Sequence, residues 1–266
     1  MLAGKYEITR ELGSGATATV YEAYHRFLRR SVAVKILHEE MMEHTEAVGR
    51  FAREAHALAS ISHPAIVSVL DAGEVDGQTY MVQELVEGQE LEEAIAEGGL
   101  TPYDAIEIGA QLGEGLQVVH ELGLVHRDVK PQNVFLSRNN GELHVTLVDF
   151  GIAKMDDVEA LTLPGNTVGT PEYMAPEQAM GQTVDARTDL FALGCLLYHV
   201  VMGDSPFIAP TLGQVLIKVA HGRAPLLAEV RPDLPEALRV TVDRALEPDP
   251  ADRWRTAAAM AAALRS

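Results

Sequence analysis

The stretch His126-Arg-Asp-Val-Lys-Pro-Gln-Asn133 decides how this sequence is interpreted. It places a carboxylate (Asp128), a cation (Lys130) and a neutral amide (Asn133) within one short predicted loop. Such a set suits the attack of a hydroxyl group on a phosphate: the carboxylate takes or orients the proton, the cation meets the γ-phosphate and the amide binds a metal ion. This loop is therefore the candidate catalytic centre.

A second acidic motif, Asp149-Phe-Gly151, follows an apolar run, Val145–Val148, that is predicted to be a strand. Asp149 stands where this strand ends, and Gly151 leaves the chain free to turn. Carboxylate oxygens are hard ligands of the kind that Mg²⁺ prefers, so Asp149 is a candidate magnesium ligand. Both motifs at this spacing are improbable in a loop with a merely structural role.

A glycine-rich stretch near the N-terminus, Leu12-Gly-Ser-Gly-Ala-Thr-Ala-Thr-Val20, lies between two predicted strands. Glycines let a backbone approach phosphate oxygens and present N–H donors, which a Cβ would obstruct. Strands on both sides argue against a dinucleotide-binding fold, which needs a helix directly after the glycines. By itself the stretch is compatible with phosphate binding or with an ordinary hairpin turn.

A lysine lies inside the apolar predicted strand Val32-Ala-Val-Lys-Ile36. Burying an ammonium group is costly unless it meets a carboxylate or a phosphate. Glu54 is a candidate partner, because its spacing from Phe51 and Leu58 puts it on the apolar face of the following helix. From these residues alone, a buried ion pair and a snorkelling Lys35 with a solvent-edge glutamate are equally compatible with the sequence.

Composition and charge exclude several classes of protein. The 266 residues are 47% apolar, enough for a substantial core in one large domain or two small ones. Asp and Glu outnumber Lys and Arg by 39 to 21, which gives a net charge of −18. Nucleic-acid-binding surfaces are basic and anionic membranes repel acidic proteins, so neither nucleic acid nor membrane contact is expected.

Cysteine usage and apolar segments favour a soluble protein of the reducing cytoplasm. Cys195 has no partner for an intrachain disulfide, and its place in the apolar run Leu190–Met202 predicts a packed core thiol rather than a nucleophile. This run is shorter than the ~20 residues that a helix needs to cross a bilayer. Residues Met1–Lys5 lack the apolar core of a signal peptide.

Apolar periodicity divides the chain into a strand-rich part and a helical part. The first 86 residues carry short runs typical of strands and one helical stripe at Phe51, Ala55 and Leu58. The connector Glu84–Gly88 is predicted to join two lobes with a cleft between them. The predicted strands are Tyr6–Thr9, Ala18–Ala23, Val32–Ile36 and Thr79–Val82; the predicted helices are Ala105–His120, Leu190–Val201, Leu212–His221, Leu238–Leu246 and Ala257–Leu264.

Six motifs in a fixed order resemble those of the eukaryotic-like serine/threonine protein kinases. They are the glycine-rich stretch, Val32-Ala-Val-Lys35, Glu54, His126-Arg-Asp128, Asp149-Phe-Gly151 and Ala175-Pro-Glu177. The resemblance covers the whole chain. The phrases Asp149-Phe-Gly-Ile-Ala-Lys154 and Gly169-Thr-Pro-Glu-Tyr-Met-Ala-Pro-Glu-Gln178 are most similar to the bacterial branch.

The resemblance implies an α+β, bilobal protein-kinase fold. Residues 1–86 would form a small lobe with an antiparallel β-sheet and one regulatory helix, and residues 87–266 a larger, mainly helical lobe. The activation segment would span residues 149–177. In addition, Asp189 would anchor the catalytic loop and Arg253 would pair with Glu177. Val69, Leu58, Phe150 and His126 would form a packed spine that joins the lobes.

The resemblance also implies an ATP site between the lobes, with Gln83 at the gatekeeper position. Val20 and Ala33 would cover the adenine, Phe135 would lie beneath it, and backbone groups of Glu84 and Val86 would bind its edge. The residues implied around the phosphates are Leu12, Gly13, Ser14, Gly15, Ala16, Thr17 and Ala18. The third glycine of the family's loop is replaced by Ala18, which should be tolerated because the first two glycines make the turn.

Catalytic roles follow the same resemblance. Lys35, paired with Glu54, would hold the α- and β-phosphates, and Asn133 with Asp149 would bind Mg²⁺. The base Asp128 and the cation Lys130 would act on the acceptor hydroxyl, beside which Thr170 shapes a site for serine or threonine. The implied partners are ATP and protein substrates.

The resemblance also has implications for the regulation and assembly of the protein. Arg127 and Lys154 make a basic pocket that a phosphate on Thr162 or Thr167 could fill by autophosphorylation, unless these are merely polar loop residues. Dimerisation through the small lobe is a habit of the bacterial branch. Because the chain stops one helix after Arg253, about where a kinase domain ends, it could be the cytosolic domain of a larger, membrane-anchored protein. Two rival functions are open. A pseudokinase would have lost one of four residues that this chain retains: Lys35, Asp128, Asn133 and Asp149. A small-molecule phosphotransferase would lack the segment ending in Ala175-Pro-Glu177.

Overall fold

The strand-rich N-terminal part forms a five-stranded antiparallel sheet in the order β1-β2-β3-β5-β4. Its strands are β1 (Tyr6–Ser14), β2 (Ala18–His25), β3 (Arg30–Leu37), β4 (Val69–Val75) and β5 (Gln78–Glu84). The computed structural model describes residues 1–15, 17–42, 44–150, 171–221 and 223–266, and the side chains of Glu46, Arg50, Glu54 and His221 also lie outside this description.

Alternation along β3 gives the sheet two different faces. Val32 and Val34 are fully buried with Tyr6 and Tyr80 in a small apolar cluster on one face. Because successive strand residues point to opposite sides, Lys35 lies on the other face, toward the rest of the molecule. The sheet thus separates a purely structural face from the face that carries the predicted lysine.

Helices are the main regular structure in the remaining described residues, and one of them is buried almost throughout. The helices are α1 (Glu39–Met42), α2 (Thr45–Leu58), α3 (Leu91–Glu97), α4 (Pro102–Glu121), α5 (Pro176–Ala179), α6 (Ala186–Met202), α7 (Leu212–His221), α8 (Leu227–Val230), α9 (Glu236–Ala245) and α10 (Ala257–Leu264). The buried helix is α6, as its apolar sequence predicts. Cys195 within it is fully buried, and burial raises the pKa of its thiol, which confirms a core thiol.

The helical stripe predicted between the strands is also confirmed. Phe51, Ala55 and Leu58 are all buried on α2 and belong to the main core. A small sheet before a mainly helical part is the predicted α+β architecture. Among the residues that the structure describes, no helix has both the length and the apolar composition needed to cross a bilayer.

A second, three-stranded sheet lies where the chain leaves the first one. It consists of β6 (Gln89–Glu90), β7 (Val134–Asn139) and β8 (Glu142–Leu147). Gly88 precedes it with φ +150°, and a Cβ there would stand 2.4 Å from the carbonyl oxygen of Leu136. A glycine is therefore required at this end of the connector, since any side chain would collide with backbone.

The end of β8 differs from the sequence-based expectation. The predicted strand Val145–Val148 began three residues too late and ended one residue too late, because pairing with β7 runs from Glu142 to Leu147. The N–H of Val148 donates instead to the carbonyl of Asn133 at 2.8 Å. That bond ties the residue before Asp149 to the catalytic loop.

A buried ion pair fixes α5 to the C-terminal helices. Arg253 is 1% exposed and donates through Nη1 and Nη2 to Glu177 Oε1 and Oε2, at 2.8 and 2.9 Å. Thr188 Oγ1 donates to the same carboxylate at 2.8 Å. Burial opposes the charged form of Glu177, but these donors, Arg253 foremost, hold its pKa below the usual range.

Replacing Arg253 by methionine is expected to lower the free energy of unfolding by about 3–5 kcal/mol, because Glu177 would be left buried without its cation. Chemical denaturation measures the change. The matched control is Arg187→Met, which breaks the exposed pair with Asp185 (2.6 Å) and should cost at most about 1 kcal/mol. Equal losses in both variants would contradict a special role for the buried pair.

Candidate active site

The loop between α4 and β7 brings Asp128, Lys130 and Asn133 into contact. The Lys130 ammonium lies 3.0 Å from Asp128 Oδ2. Asn133 Nδ2 donates to the same oxygen at 3.0 Å and to the Asp128 backbone carbonyl at 2.8 Å. These donors fix the orientation of the carboxylate, which is what a group that positions a hydroxyl needs.

The loop is anchored from beneath by Asp189, near the start of α6. Asp189 is fully buried and accepts the N–H groups of His126 and Arg127, each at 2.8 Å. Arg127 has φ +65°, a left-handed conformation that costs a non-glycine residue about 1–2 kcal/mol. Two bonds to a buried carboxylate offset this cost, so the expected contact is present and has a physical reason.

Two further residues support this loop and were missed in the sequence analysis. His120, at the end of α4, places Nε2 2.7 Å from Asp189 Oδ2, and Gln178 Nε2 donates to the Arg127 carbonyl at 3.4 Å. In a single sequence, nothing marks a histidine at a helix end, or a glutamine after Ala175-Pro-Glu177, as a residue that supports the catalytic loop. Only their distance in space reveals the contacts.

Asp149 meets Lys35 across the cleft. Lys35 Nζ lies 2.5 Å from Asp149 Oδ1, and the Lys35 side chain is only 9% exposed. Burial works against ionisation of Asp149, but the charge of Lys35 outweighs it and holds the pKa of this carboxyl below its usual range. The buried ammonium thus has a carboxylate partner, and the alternative of a snorkelling lysine is wrong.

The backbone and the following side chain hold Asp149 in this position. Asp149 has φ +60°, and Phe150 is buried with its ring centroid 4.3 Å from that of His126. Leu58 belongs to the same core, and Val69 packs against it. The four members of the expected spine therefore lie in one core.

The residues proposed for magnesium fit a hard divalent cation. The Asp149 carboxylate is ionised and its side chain is 44% exposed, so an ion can reach its oxygens. The Asn133 amide nitrogen donates to two acceptors on Asp128, which leaves the amide oxygen as the Asn133 atom for a cation. The bond from Val148 N–H to the Asn133 carbonyl keeps the two segments adjacent.

The glycine-rich stretch is the turn between β1 and β2. The N–H of Gly15 donates to the carbonyl of Ala18 at 2.9 Å. A Cβ on Gly13 would meet nothing within 4 Å, and one on Gly15 only the Ala18 oxygen at 3.7 Å; neither residue has a positive φ. The fold itself therefore does not require these glycines, which favours close approach of a ligand over an ordinary turn.

The residues expected around the adenine lie on the sheet and along the connector. Val20 is opposite Lys35 and Ala33 is opposite Gln83, so the four share one face of the sheet. Gln83 and Ala33 are buried, and Val20 is half-buried. Of the rest, Leu12 on β1 is 39% exposed, Ser14 and Glu84 are exposed, Thr17, Val86 and Phe135 are half-buried, and Ala18 is buried.

Several residues named from the sequence lie outside the described part of the chain. The contacts and distances of the site therefore do not include them. They are Ala16, Lys154, Thr162, Thr167, Thr170 and the side chain of Glu54.

Comparison with known proteins matches this geometry to a family. A model of the protein kinase domain matches residues 6–264. A probable serine/threonine-protein kinase of Clostridium perfringens is 40% identical over 97% of this chain, and the serine/threonine-protein kinase PknB of Mycolicibacterium smegmatis is 38% identical over 99%. The chain spans 37% and 43% of the lengths of these two relatives.

Solved structures agree with the sequence relatives. The PknI kinase domain of Mycobacterium tuberculosis aligns with a TM-score of 0.76 at 32% identity, covering 100% of this chain and 96% of that one. Rad53 residues 1–466, solved in complex with AMP-PNP, aligns with a TM-score of 0.79 at 28% identity, covering 97% and 64%. The chain therefore belongs to the protein kinase domain family, and within it to the bacterial serine/threonine-protein kinases.

Proposed function

We propose that this domain transfers the γ-phosphoryl group of Mg·ATP to serine and threonine hydroxyls of proteins. The observation that carries the proposal is one cluster: Asp128 held by Lys130 and Asn133, beside the Lys35–Asp149 pair at 2.5 Å. The residues expected to act as base, as phosphate-binding cations and as metal ligands thus lie close to one another, which supports the proposal. Residues 1–86 would be its upper lobe and residues 87–266 its lower lobe.

Catalysis would come from positioning and charge neutralisation. Asp128 orients the acceptor hydroxyl, whose oxygen attacks the γ-phosphorus while the bond from that phosphorus to the β,γ-bridging oxygen breaks. ADP leaves with the electron pair of that bond, and Asp128 accepts the hydroxyl proton late in the step. Lys130 stabilises the charge on the transferred group. Asn133 and Asp149 would hold Mg²⁺, which would supply further charge neutralisation when bound.

Nucleotide binding would use the cleft face of the sheet. Lys35 would hold the α- and β-phosphates, and Glu54 would be its second carboxylate partner, as the sequence motifs imply. The backbone of the stretch Leu12–Ala18 would cover the phosphates, because its glycines leave room that the fold does not fill. Rad53, which shares the fold, is described in complex with the ATP analogue AMP-PNP.

A protein acceptor is favoured over a small molecule. The chain carries the long segment up to Ala175-Pro-Glu177, and Glu177 is locked into the core by Arg253. The Clostridium perfringens and Mycolicibacterium smegmatis relatives are named as serine/threonine-protein kinases, in agreement with the acceptor preference that the motif residues Lys130 and Thr170 imply. ATP as co-substrate and a single buried thiol favour the cytoplasm. Dimerisation through the small lobe stays a prediction.

Replacing Asp128 by asparagine should reduce kcat by orders of magnitude and leave nucleotide affinity nearly unchanged, because only the hydroxyl loses its acceptor. Intact mass before and after incubation with Mg·ATP measures the transfer. Wild type should gain mass in steps of one phosphate, and the variant should not. The matched control is Asp76→Asn on the exposed β4–β5 turn, which should behave as wild type. Comparable phosphorylation by Asp128→Asn would refute the assignment.

Autophosphorylation is expected on Thr162, Thr167 or both, since a phosphate there would meet the cationic Arg127 and form charge-assisted hydrogen bonds. Peptide mapping of ATP-treated protein locates the sites. The double variant Thr162→Ala/Thr167→Ala should lose these phosphates, and each single variant should keep only the phosphate that the other threonine carries. Active protein with neither threonine modified would contradict this part of the proposal.

Changing Ala18 to glycine should alter kcat/KM only a few-fold. Ala18 is buried opposite Leu37 in regular β pairing, so a methyl group is accommodated there without strain. Steady-state kinetics at varied ATP concentration tests this. A change above ~100-fold, equivalent to ~2.7 kcal/mol, would show that the third loop position limits catalysis.

A further inference from the structure

We propose that Tyr173 and His199 form a positioning pair that sets the protein-acceptor segment relative to the catalytic loop. This inference rests on the proposed transfer to a protein hydroxyl. The segment concerned is the 3₁₀ turn Pro171–Tyr173, which directly follows Thr170. The N–H of Met174 donates to the Pro171 carbonyl at 3.1 Å and closes the turn.

The pair is joined by a short hydrogen bond. Tyr173 is 4% exposed, and its hydroxyl lies 2.6 Å from His199 Nδ1, on the last turns of α6. The other ring nitrogen, Nε2, lies 3.2 Å from the carbonyl oxygen of Gly203. A carbonyl only accepts, so Nε2 carries the proton and Nδ1 accepts from the tyrosine O–H. The surroundings thus select one tautomer and one bond direction.

The protonation of Tyr173 agrees with this direction. Burial is the main cause that raises the pKa of the Tyr173 phenol, and the nearby carboxylates of Glu92 and Glu172 raise it further. The hydroxyl therefore keeps its proton and stays a donor. The two rings also lie nearly parallel, with centroids 6.1 Å apart.

A second bond ties the same turn to the loop after α6. Ser205 is buried, and its hydroxyl donates to the carbonyl of Glu172 at 3.1 Å. The N–H of Phe207 donates to that Ser205 oxygen at 3.3 Å, and the Phe207 ring stacks on Phe191 of α6 at 5.7 Å. Two successive residues of the turn are thus held by groups fixed to one helix.

That helix also holds the catalytic loop. Asp189 anchors His126 and Arg127 from the first turn of α6, and His199 lies ten residues further along the same helix, or roughly 15 Å at 1.5 Å per residue. A buried helix is a rigid spacer, so these two contacts set the acceptor turn and the base at a constant separation. His199 acts through Tyr173 and has no contact with reacting atoms.

The test compares His199→Leu with His199→Asn, two side chains of nearly equal shape. Asparagine keeps an acceptor close to the place of Nδ1, whereas leucine keeps none. We expect His199→Leu to raise KM for a protein acceptor about 10-fold, with KM for ATP within about 2-fold of wild type, and His199→Asn to restore most of the loss. Tyr173→Phe, which removes only the hydroxyl, should match His199→Leu. The double variant Tyr173→Phe/His199→Leu should raise KM for the protein acceptor no more than either single variant does.

Amide hydrogen exchange separates this proposal from the proposed function. Exchange at residues 172–174 should accelerate in His199→Leu and Tyr173→Phe but not in His199→Asn, whether or not the protein transfers phosphate. A wild type without transfer would refute the function, and the exchange result would still decide on the pair. Identical exchange in all variants would overturn the proposed role of the Tyr173–His199 pair. Additive effects of the two substitutions on KM for the protein acceptor would overturn it too, as would equal increases of that KM in His199→Leu and His199→Asn.

Discussion

The carboxylate of Asp189 supports the geometry of the whole site from inside the protein. It has no exposed surface, accepts two backbone N–H groups of the catalytic loop and lies 2.7 Å from His120. A buried charge is unfavourable unless donors surround it, and here the donors are the loop that must be held. The two bonds to this anchor offset the cost of the left-handed backbone at Arg127, the residue directly before Asp128.

Among the described residues of the site, both motif lysines lie beside a carboxylate. Lys35 meets Asp149 and Lys130 meets Asp128, although the chain as a whole carries a net charge of −18. Cations inside an acidic protein would draw in the polyphosphate of a nucleotide, while the acidic exterior is unsuited to nucleic acid. The same helix that supplies Asp189 supplies His199, so catalytic loop and acceptor turn share one rigid support.

The motif residues could be predicted from the sequence because each is a chemically unusual residue in its local pattern. A lysine in the apolar strand β3, a carboxylate at the end of β8 and three polar groups in one loop stand out by themselves. Strand β4, Val69–Val75, was not predicted, since its Asp and Gly are poor strand formers and edge pairing with β5 overrides them. The end of β8 was predicted one residue too late, because the contact of Val148 with the catalytic loop is not local, and its start at Glu142 was predicted three residues too late.

The sequence by itself determined the family, the order of strand-rich and helical parts, and the identity of the charged residues in the cleft, because periodicity and rare polar residues are local properties. Only the tertiary structure decided which groups meet: Lys35 with Asp149, 114 residues apart, His120 with Asp189, 69 apart, and Tyr173 with His199. Such pairs form between residues far apart in the chain, and one sequence carries no signal for them. These residues come into contact only in the folded protein, in which α6 is buried almost throughout.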